Sequence, residues 1–255
     1  MKLGFEDSGQ AAYDSGTQKA RVLTEGWAAI NAFCPNCAND RLTKLPNNSP
    51  VADFVCSKCD EQYELKSQKG GFGKRIADGA YKTMIERLNS DTAPNLLLLK
   101  YKPEVGIQDL MIVPKQFFVP SIIEQRKPLA PTARRAGWVG CNILLSRVPD
   151  EGKIFIVRDR LLQNREAIRS QWQQTLFLRE ASPSARSWLL DVWACVQEIG
   201  SVEFTLEQMY AYEARLKSNW PGNENVRPKI RQQLQFLRDQ GKLQFIGNGN
   251  YRLLQ

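Results

Sequence analysis

The chain has 255 residues, a formal net charge of +8 at pH 7 and no histidine. Without histidine it cannot use a His-based nuclease site, a Ser-His-Asp triad or imidazole ligands for zinc, so any catalysis must use carboxylates, lysine, cysteine or a bound metal. The positive charge favours a polyanionic partner such as nucleic acid, although many basic proteins bind nothing anionic.

Cellular location is predicted from two absences in the sequence. No run of eighteen apolar residues is present, so we expect no membrane-spanning helix. The start, MKLGFEDSGQ, lacks a basic cluster followed by an apolar stretch, so we expect a cytoplasmic protein. Reducing conditions disfavour disulfides there, and metal binding becomes the leading use for paired cysteines.

The first half of the chain alternates helical and strand patterns. Leu23, Trp27 and Ile30 follow the i, i+4, i+7 spacing of an amphipathic helix over residues 17–31. Short apolar or alternating runs predict strands at VADFV, EQYELK, NLLLLKY, DLMIVP and KIFIV. This order predicts an α/β core with a mixed sheet.

A second helix is predicted between these strands, over KRIADGAYKTMIERLN. In this segment Ile76, Ala80, Met84 and Leu88 recur every fourth residue and would share one helical face. Further along, the basic block RKPLAPTARRAGWVGCN is punctuated by proline and glycine and predicts a long loop.

The pattern changes near residue 180, where REASPSAR resembles a linker. Beyond it, SWLLDVWACVQEI predicts a helix, a capping box at Thr205 begins a second, and residues 226–239 form a third that ends near Gly241. KLQFIGNGNYRLL predicts a hairpin around its GNGN turn. Three helices and a hairpin indicate a winged helix-turn-helix domain over residues 181–255, after a first domain over residues 1–180.

Four cysteines have the spacing of a zinc site. Cys34, Cys37, Cys56 and Cys59 form C-x2-C-x18-C-x2-C, which suits tetrahedral thiolate coordination of Zn²⁺. Four thiolates leave no open coordination position, so the metal would be structural; chance clustering of core cysteines is the alternative. The other two, Cys141 and Cys195, are predicted to be small buried hydrophobes.

A carboxylate and lysine pattern follows the second cysteine pair. Glu64 and Lys66 flank Leu65 on a predicted strand, so both side chains face one side, and Asp53 on the preceding strand could lie near Glu64. Such a site suits Mg²⁺-dependent phosphodiester hydrolysis, with Asp53 and Glu64 as ligands, the Leu65 carbonyl as a possible third and Lys66 orienting the water. A surface salt bridge is the alternative, and Glu151-Gly152-Lys153 has the same spacing by chance.

The two patterns have one explanation if the cysteines hold the strands. Cys56 and Cys59 lie in the loop that joins the Asp53 strand to the Glu64 strand. A metal clamp on that loop would fix the strand register, and a slip of one residue would turn Glu64 and Lys66 away from Asp53.

Longer segments resemble a known family. The run from CPNC through PVADF and CSKC to ELKSQKG, the block QRKPLAPTARRAGWVGCN and the segment IRQQLQFLRD are similar to the DpnI family of methyl-directed type IIM restriction endonucleases. The resemblance covers nearly the whole chain. It departs from the family's Pro-Asp pattern because Ala52 precedes Asp53, with Pro50 three residues upstream.

The resemblance implies a PD-(D/E)xK nuclease domain followed by a winged helix. It implies cleavage of double-stranded DNA at GATC when the adenine is N6-methylated. We expect a monomeric chain with Mg²⁺ as the catalytic metal and Zn²⁺ as the structural metal. The family's acidic and lysine positions fall on Asp53, Glu64 and Lys66, and its zinc ligands on the four paired cysteines.

Two groups of residues are candidates for DNA contact. On the third C-terminal helix one polar face is formed by Arg227, Arg231, Gln235 and Arg238. Arginine suits guanine and glutamine suits adenine in the major groove, whereas a solvated face is the alternative. In the long loop, Arg134, Arg135 and Trp138 could contact phosphate, guanine or the adenine methyl group; burial of Trp138 in the core is the alternative.

Methyl dependence requires more than one contact. Burying one methyl group contributes only about 0.8 kcal/mol, so we expect both domains to read the methyl groups. The hypothesis predicts that deleting residues 183–255 weakens selection for methylated sites.

Two other classes of protein share many of these sequence features. One is a zinc-containing winged-helix regulator without nuclease activity, and the other is a repair accessory that holds methylated ends without cutting.

Overall fold

The computed structural model describes residues 1–5, 15–47, 49, 52–90 and 92–254. Strands of the N-terminal region are β1 (Thr43–Lys44), β2 (Phe54–Val55), β3 (Gln62–Gln68), β4 (Arg75–Ala80), β5 (Asn95–Lys102), β6 (Gly106–Val113), β7 (Ile123–Gln125), β8 (Gly140–Leu144), β9 (Ile154–Arg158) and β10 (Leu161–Leu162). Its helices are α1 (Gly16–Asn31), α2 (Tyr81–Asn89) and α3 (Arg165–Gln173).

Seven of these strands form one mixed sheet in the order β1-β2-β3-β5-β6-β9-β10. β3 and β5 run parallel, and their neighbours pair antiparallel. The predicted α/β core with a mixed sheet is therefore confirmed. A separate three-stranded sheet has the order β4-β8-β7.

The central strand β5 separates two apolar cores. Its residues Leu96–Leu99 are at most 2% exposed, as expected for a strand that is covered on both faces. Leu97 and Leu99 pack with residues of α1 and α3, whereas Leu96 and Leu98 pack with the three-stranded sheet and the C-terminal region. Because paired residues share a face of the sheet, Glu64 (opposite Leu96) and Lys66 (opposite Leu98) lie on this second side.

Helix α1 confirms the prediction for residues 17–31 to within one residue. Leu23 and Trp27 are buried against the sheet, as their spacing predicts. Ile30 was predicted to lie on the same stripe, and this is wrong, because its side chain is 51% exposed near the helix end.

The helix predicted from Lys74 to Asn89 is wrong in its first half. Arg75–Ala80 form strand β4, and the helix begins only at Tyr81. Ile76 is buried while its neighbours are more exposed, which is the period of a strand. Gly79 weakens a helix at this point, and the hydrogen bonds of the β4–β8 ladder, with Ile76 opposite Ile143, outweigh the four-residue periodicity.

The C-terminal region contains α4 (Pro183–Ile199), β11 (Glu203–Thr205), α5 (Leu206–Tyr210), α6 (Glu213–Asn219), α7 (Val226–Asp239), β12 (Leu243–Gly247) and β13 (Asn250–Leu253). The predicted capping box at Thr205, the third helix and the terminal hairpin are all present. The second predicted helix differs, because it breaks near Ala211 into the short helices α5 and α6.

Helix α4 packs tightly against the N-terminal region. Trp193 is fully buried, and its ring centroid lies 6.3 Å from those of both Phe117 and Phe177. Ser121 Oγ donates a hydrogen bond to Asp191 Oδ1 at 2.5 Å across the same contact. Deleting residues 183–255 would expose this apolar surface, so substitutions in the intact chain test the DNA contacts more cleanly.

In the described part of the chain no helix combines the length and apolar character that crossing a membrane requires.

Candidate active site and metal centre

The two cysteine pairs adopt the same local turn. Within each turn a backbone N–H donates to the carbonyl of the first cysteine at 2.9 Å, from Ala38 to Cys34 and from Asp60 to Cys56. Ala38 and Asp60 both have positive φ, 60° and 57°, which closes each turn on its own sulfurs. The two turns therefore present four thiols to one point.

The four sulfurs meet the geometric requirements of zinc. All lie within 4.8 Å of one another, with 3.6 Å between Cys34 Sγ and Cys59 Sγ and 3.4 Å between Cys37 Sγ and Cys56 Sγ. Tetrahedral coordination at about 2.3 Å places sulfurs about 3.8 Å apart. No other group of three or more potential metal ligands lies this close together among the described residues. The cluster can therefore hold a zinc ion, as the spacing predicted.

The environments of the thiols differ. Burial raises the pKa of Cys34, whose sulfur lies 3.1 Å from the hydroxyl of the fully buried Tyr63. Burial also opposes ionisation of Cys56, but the N–H groups of Lys58 and Cys59 and the Cys37 thiol outweigh it and lower the pKa to about 7. Cys56 is thus prepared to act as a thiolate ligand.

The cysteine cluster is joined directly to the strands that carry the acidic residues. Cys56 and Cys59 lie between β2 and β3, which pair antiparallel with Phe54 opposite Tyr63. Tyr63 contacts Cys34 through its hydroxyl and immediately precedes Glu64. Anything that holds the four sulfurs together therefore also holds the register of β2 on β3.

Asp53 lies just before β2 and is hydrogen-bonded to β3 by both its backbone and its side chain. Its N–H donates to the Tyr63 carbonyl at 2.9 Å, and its Oδ2 accepts the Leu65 N–H at 2.8 Å. Val51 and Pro50, which precede this strand, lie outside the described residues. The side chains of Asp53 and Glu64 are each 25% exposed, so solvent reaches both.

Lys66 lies between two carboxylates, only one of which was predicted. Its Nζ donates to Glu64 Oε1 at 2.6 Å and to Asp78 Oδ1 at 2.8 Å. Asp78 is on β4, in the segment that had been predicted as helix. Its pairing opposite Cys141, which lies far along the chain, brings it to this site, so no pattern in its own segment predicts it.

The electrostatics of the cluster favour a bound cation. Burial raises the pKa of Glu64, and the negative charges of Asp78 and Asp53 add to the effect while Lys66 opposes it. Burial disfavours the Lys66 ammonium, but Glu64 and Asp78 outweigh burial and raise its pKa. Lys66 donates to two of the three carboxylates, Glu64 and Asp78, and Arg21 approaches the third, Asp53, only at 4.0 Å. The carboxylates of Asp53 and Glu64 are half-buried but reached by solvent, and oxygen donors of this kind suit a divalent cation.

The second Glu-x-Lys triplet has a different structure. Asp150–Gly152 form a 3-10 turn and not a strand. Glu151 accepts from Gln197 Nε2 at 2.7 Å, and Lys153 pairs with Asp150 at 2.9 Å. Lys153 is therefore a natural control for Lys66.

The reading loop, defined as residues 126–139, connects β7 to β8 and carries the predicted DNA contacts. Arg134 and Arg135 are exposed, and Arg135 lies over the Trp138 ring at 4.8 Å from its centroid. Trp138 is half-buried against Gly140, where an added Cβ would lie 2.8 Å from the ring. The ring is thus held between Arg135 and Gly140 and is only partly exposed, so a role in DNA contact stays a prediction.

The predicted reading face of α7 is solvent-exposed, and Val226, Ile230 and Leu237 on the opposite face are buried. The four exposed side chains are Arg227, Arg231, Gln235 and Arg238. Arg227 Nε donates to Glu213 at 2.7 Å and Arg231 Nη1 to the Tyr210 hydroxyl at 2.7 Å. These contacts are at the surface, where DNA phosphates or bases could replace them. Which base each side chain reads stays a prediction.

Comparison with protein-family models gives two matches. Residues 1–181 match the model of DpnI, described as the Dam-replacing family, and residues 184–253 match the Dam-replacing HTH domain. The second match covers the helices and hairpin described above, and HTH domains bind DNA through a recognition helix.

Proposed function

The chain belongs to the DpnI, Dam-replacing family, and on that premise we propose that it is a methyl-directed type II restriction endonuclease. Family membership supports a methyl-directed restriction enzyme with a DNA-binding C-terminal domain. The finer proposal is that it cuts double-stranded DNA at GATC sites whose adenine is N6-methylated. It would act as a monomer, with a nuclease domain over residues 1–180 and a winged helix over residues 181–255.

The strongest support for hydrolysis is the acidic cluster on β3 and its neighbours. The Asp53 carboxylate accepts the Leu65 N–H, and the Glu64 carboxylate accepts a hydrogen bond from Lys66 Nζ. The side chains of Asp53, Glu64 and Lys66 therefore lie on neighbouring segments of backbone. The cysteine cluster holds β2 against β3 and so keeps Asp53 close to Glu64. If Glu64 and Lys66 formed only a surface salt bridge, no such clamp would be needed.

Asp53 and Glu64, with the Leu65 carbonyl, would hold Mg²⁺. When bound, the metal polarises the scissile phosphate and lowers the pKa of a coordinated water. Lys66 offers an ammonium that can orient the attacking water and offset the charge that develops on the phosphate. The four cysteines would hold Zn²⁺ in a closed structural site.

Sequence recognition would be divided between α7 and the reading loop. Arg227, Arg231 and Arg238 can contact guanine or phosphate, and Gln235 can pair with adenine. In the reading loop, Arg134 and Arg135 would contact the backbone or guanine, and Trp138 would cover the methyl groups. Because one methyl group contributes only about 0.8 kcal/mol, two reading elements would multiply the discrimination.

A plasmid cleavage assay tests the proposal. Methylated and unmethylated plasmid are incubated with the protein in Mg²⁺ or in EDTA, and linear and nicked products are measured on a gel. We expect cleavage only of methylated plasmid and only with Mg²⁺. Lys66→Ala should abolish it, while Lys153→Ala, in the matching triplet outside the cluster, should keep it.

Two outcomes would contradict the proposal. Binding of methylated DNA without cleavage under any divalent metal would favour the winged-helix regulator or the repair accessory. Full cleavage by a folded Lys66→Ala variant would reject the assigned chemistry.

A further inference from the structure

Lys66 is held by carboxylates from two different sheets. Glu64 lies on β3 of the seven-stranded sheet, and Asp78 lies on β4 of the three-stranded sheet. Both accept a hydrogen bond from Lys66 Nζ, at 2.6 and 2.8 Å. Glu64 alone would leave the long, flexible lysine side chain with one anchor, whereas the contact with Asp78 adds a second anchor from a different sheet.

The backbone of β4 is shaped to direct Asp78 at the lysine. The register of β4 on β8 shifts between Asp78 and Ala80, so Gly79 forms a β-bulge. Bulges are common next to active sites, where they redirect a side chain. The Gly79 N–H donates to Asp78 Oδ1 at 2.7 Å, so the oxygen that accepts from Lys66 is also fixed by the backbone.

The other oxygen of Asp78 is unusual for a buried carboxylate. The side chain is 7% exposed, and none of the described residues donates a hydrogen bond to Oδ2. A buried polar atom without a partner costs free energy, and native proteins contain few of them. The contacts with Lys66 and Gly79 satisfy one oxygen of Asp78, but they do not account for the second, so packing alone does not explain a carboxylate at this position.

We propose that Asp78 is a positioning residue that holds the Lys66 ammonium in place beside Glu64 for phosphodiester hydrolysis. This inference rests on the proposed function, because it assigns Asp78 to the same reaction. Asp78 acts through Lys66, and Asp53 and Glu64 remain the groups that would hold the catalytic metal. Its carboxylate is fixed by the β4–β8 ladder and by the bulge, so the ammonium is held at a defined point before DNA binds.

The test is single-turnover cleavage of methylated duplex with enzyme in saturating excess. Asp78→Asn keeps the shape and the acceptor for the Gly79 N–H but removes the charge that holds Lys66. We expect the rate constant to fall about 10- to 100-fold, as is typical for partners of groups in a catalytic site. The dissociation constant for the same duplex, measured without divalent metal, should change less than about twofold.

Asp109→Asn is the matched control. Asp109 pairs with Lys100 at 3.0 Å, and it accepts the Asp159 N–H at 2.7 Å, so it makes the same kinds of contact as Asp78. Its side chain is 19% exposed and it belongs to no part of the proposed site. Its rate constant should match that of the wild type.

The rate constant distinguishes positioning from folding, because a misfolded fraction leaves the single-turnover rate constant unchanged as long as the folded enzyme still saturates the duplex. If Asp78→Asn folds poorly, Asp78→Ser removes the charge with a smaller side chain and is measured in the same way. A wild-type rate constant in either folded variant would overturn the inference while leaving the proposed function intact. Failure of the wild type to cut would overturn both.

Discussion

Replacing Cys37 by serine should remove the clamp between the two cysteine turns. Cys37 is only partly buried, so serine fits without disturbing the core, while its sulfur lies 3.4 Å from that of Cys56. A metal that joins these two residues closes a loop of about 20 residues, and the loss of such a cross-link costs about 3 kcal/mol. For a chain of this size, the midpoint of thermal unfolding should fall by about 6 to 12 °C.

The same change should reduce cleavage more than it reduces folding. With the loop released, β2 can shift on β3, and a slip of one residue separates Asp53 from Glu64. The experiment measures zinc per chain by elemental analysis, thermal unfolding by circular dichroism, and cleavage of methylated plasmid on one preparation. Cys195→Ala is the control, because Cys195 is buried in α4 outside the cysteine cluster. This variant should retain the zinc content of the wild type.

The reasoning would be refuted by a Cys37→Ser protein with the zinc content and unfolding midpoint of the wild type. Loss of zinc with undiminished cleavage would refute the link between the clamp and the acidic residues.

Three further predictions use the intact chain. Trp138→Ala should lower the ratio of cutting rates on methylated over unmodified DNA, measured in competition, and an unchanged ratio would assign the ring only to packing on Gly140. Arg231→Ala should weaken duplex binding and reduce the salt dependence of the binding constant by about one unit of slope if its guanidinium neutralises one phosphate; an unchanged slope would count against that contact. Burial raises the pKa of Asp191 despite hydrogen bonds from Ser121 and Trp220, so its ionised form disfavours the folded state and this cost is absent at low pH. The difference in unfolding free energy, wild type minus Asp191→Asn, should therefore fall as pH rises above about 4. Urea denaturation of both proteins at several pH values measures this difference. A difference that does not change with pH would contradict the prediction.

Local patterns predicted the elements that are determined by neighbouring residues. The spacing of the four cysteines predicts their cluster because each Cys-x-x-Cys pair forms its own local turn. Only one long-range contact, between the two turns, is then needed to bring the four sulfurs together. Helix α7 and the capping box at Thr205 follow from side chains three and four residues apart. In the same way, Leu96–Leu99 were recognised as a buried strand because both faces are apolar.

The elements that the sequence did not reveal depend on distant pairing. Ile76, Ala80, Met84 and Leu88 fit a helix in isolation, and only the ladder with β8 makes the first two of them part of a strand. Asp78 was missed for the same reason. Its place beside Lys66 is set by residues more than sixty positions away, and no property of its own segment distinguishes it from a surface carboxylate.

The central claim is that the Asp53, Glu64 and Lys66 cluster cuts duplex DNA in response to adenine methylation. The most direct measurement compares initial cleavage rates on two duplexes of identical sequence with one GATC site, N6-methylated in one and unmodified in the other, with Mg²⁺ present. Rapid cutting of the methylated duplex alone, abolished by Lys66→Ala, is the predicted result. Equal rates on the two duplexes, or no cutting of either, would contradict it.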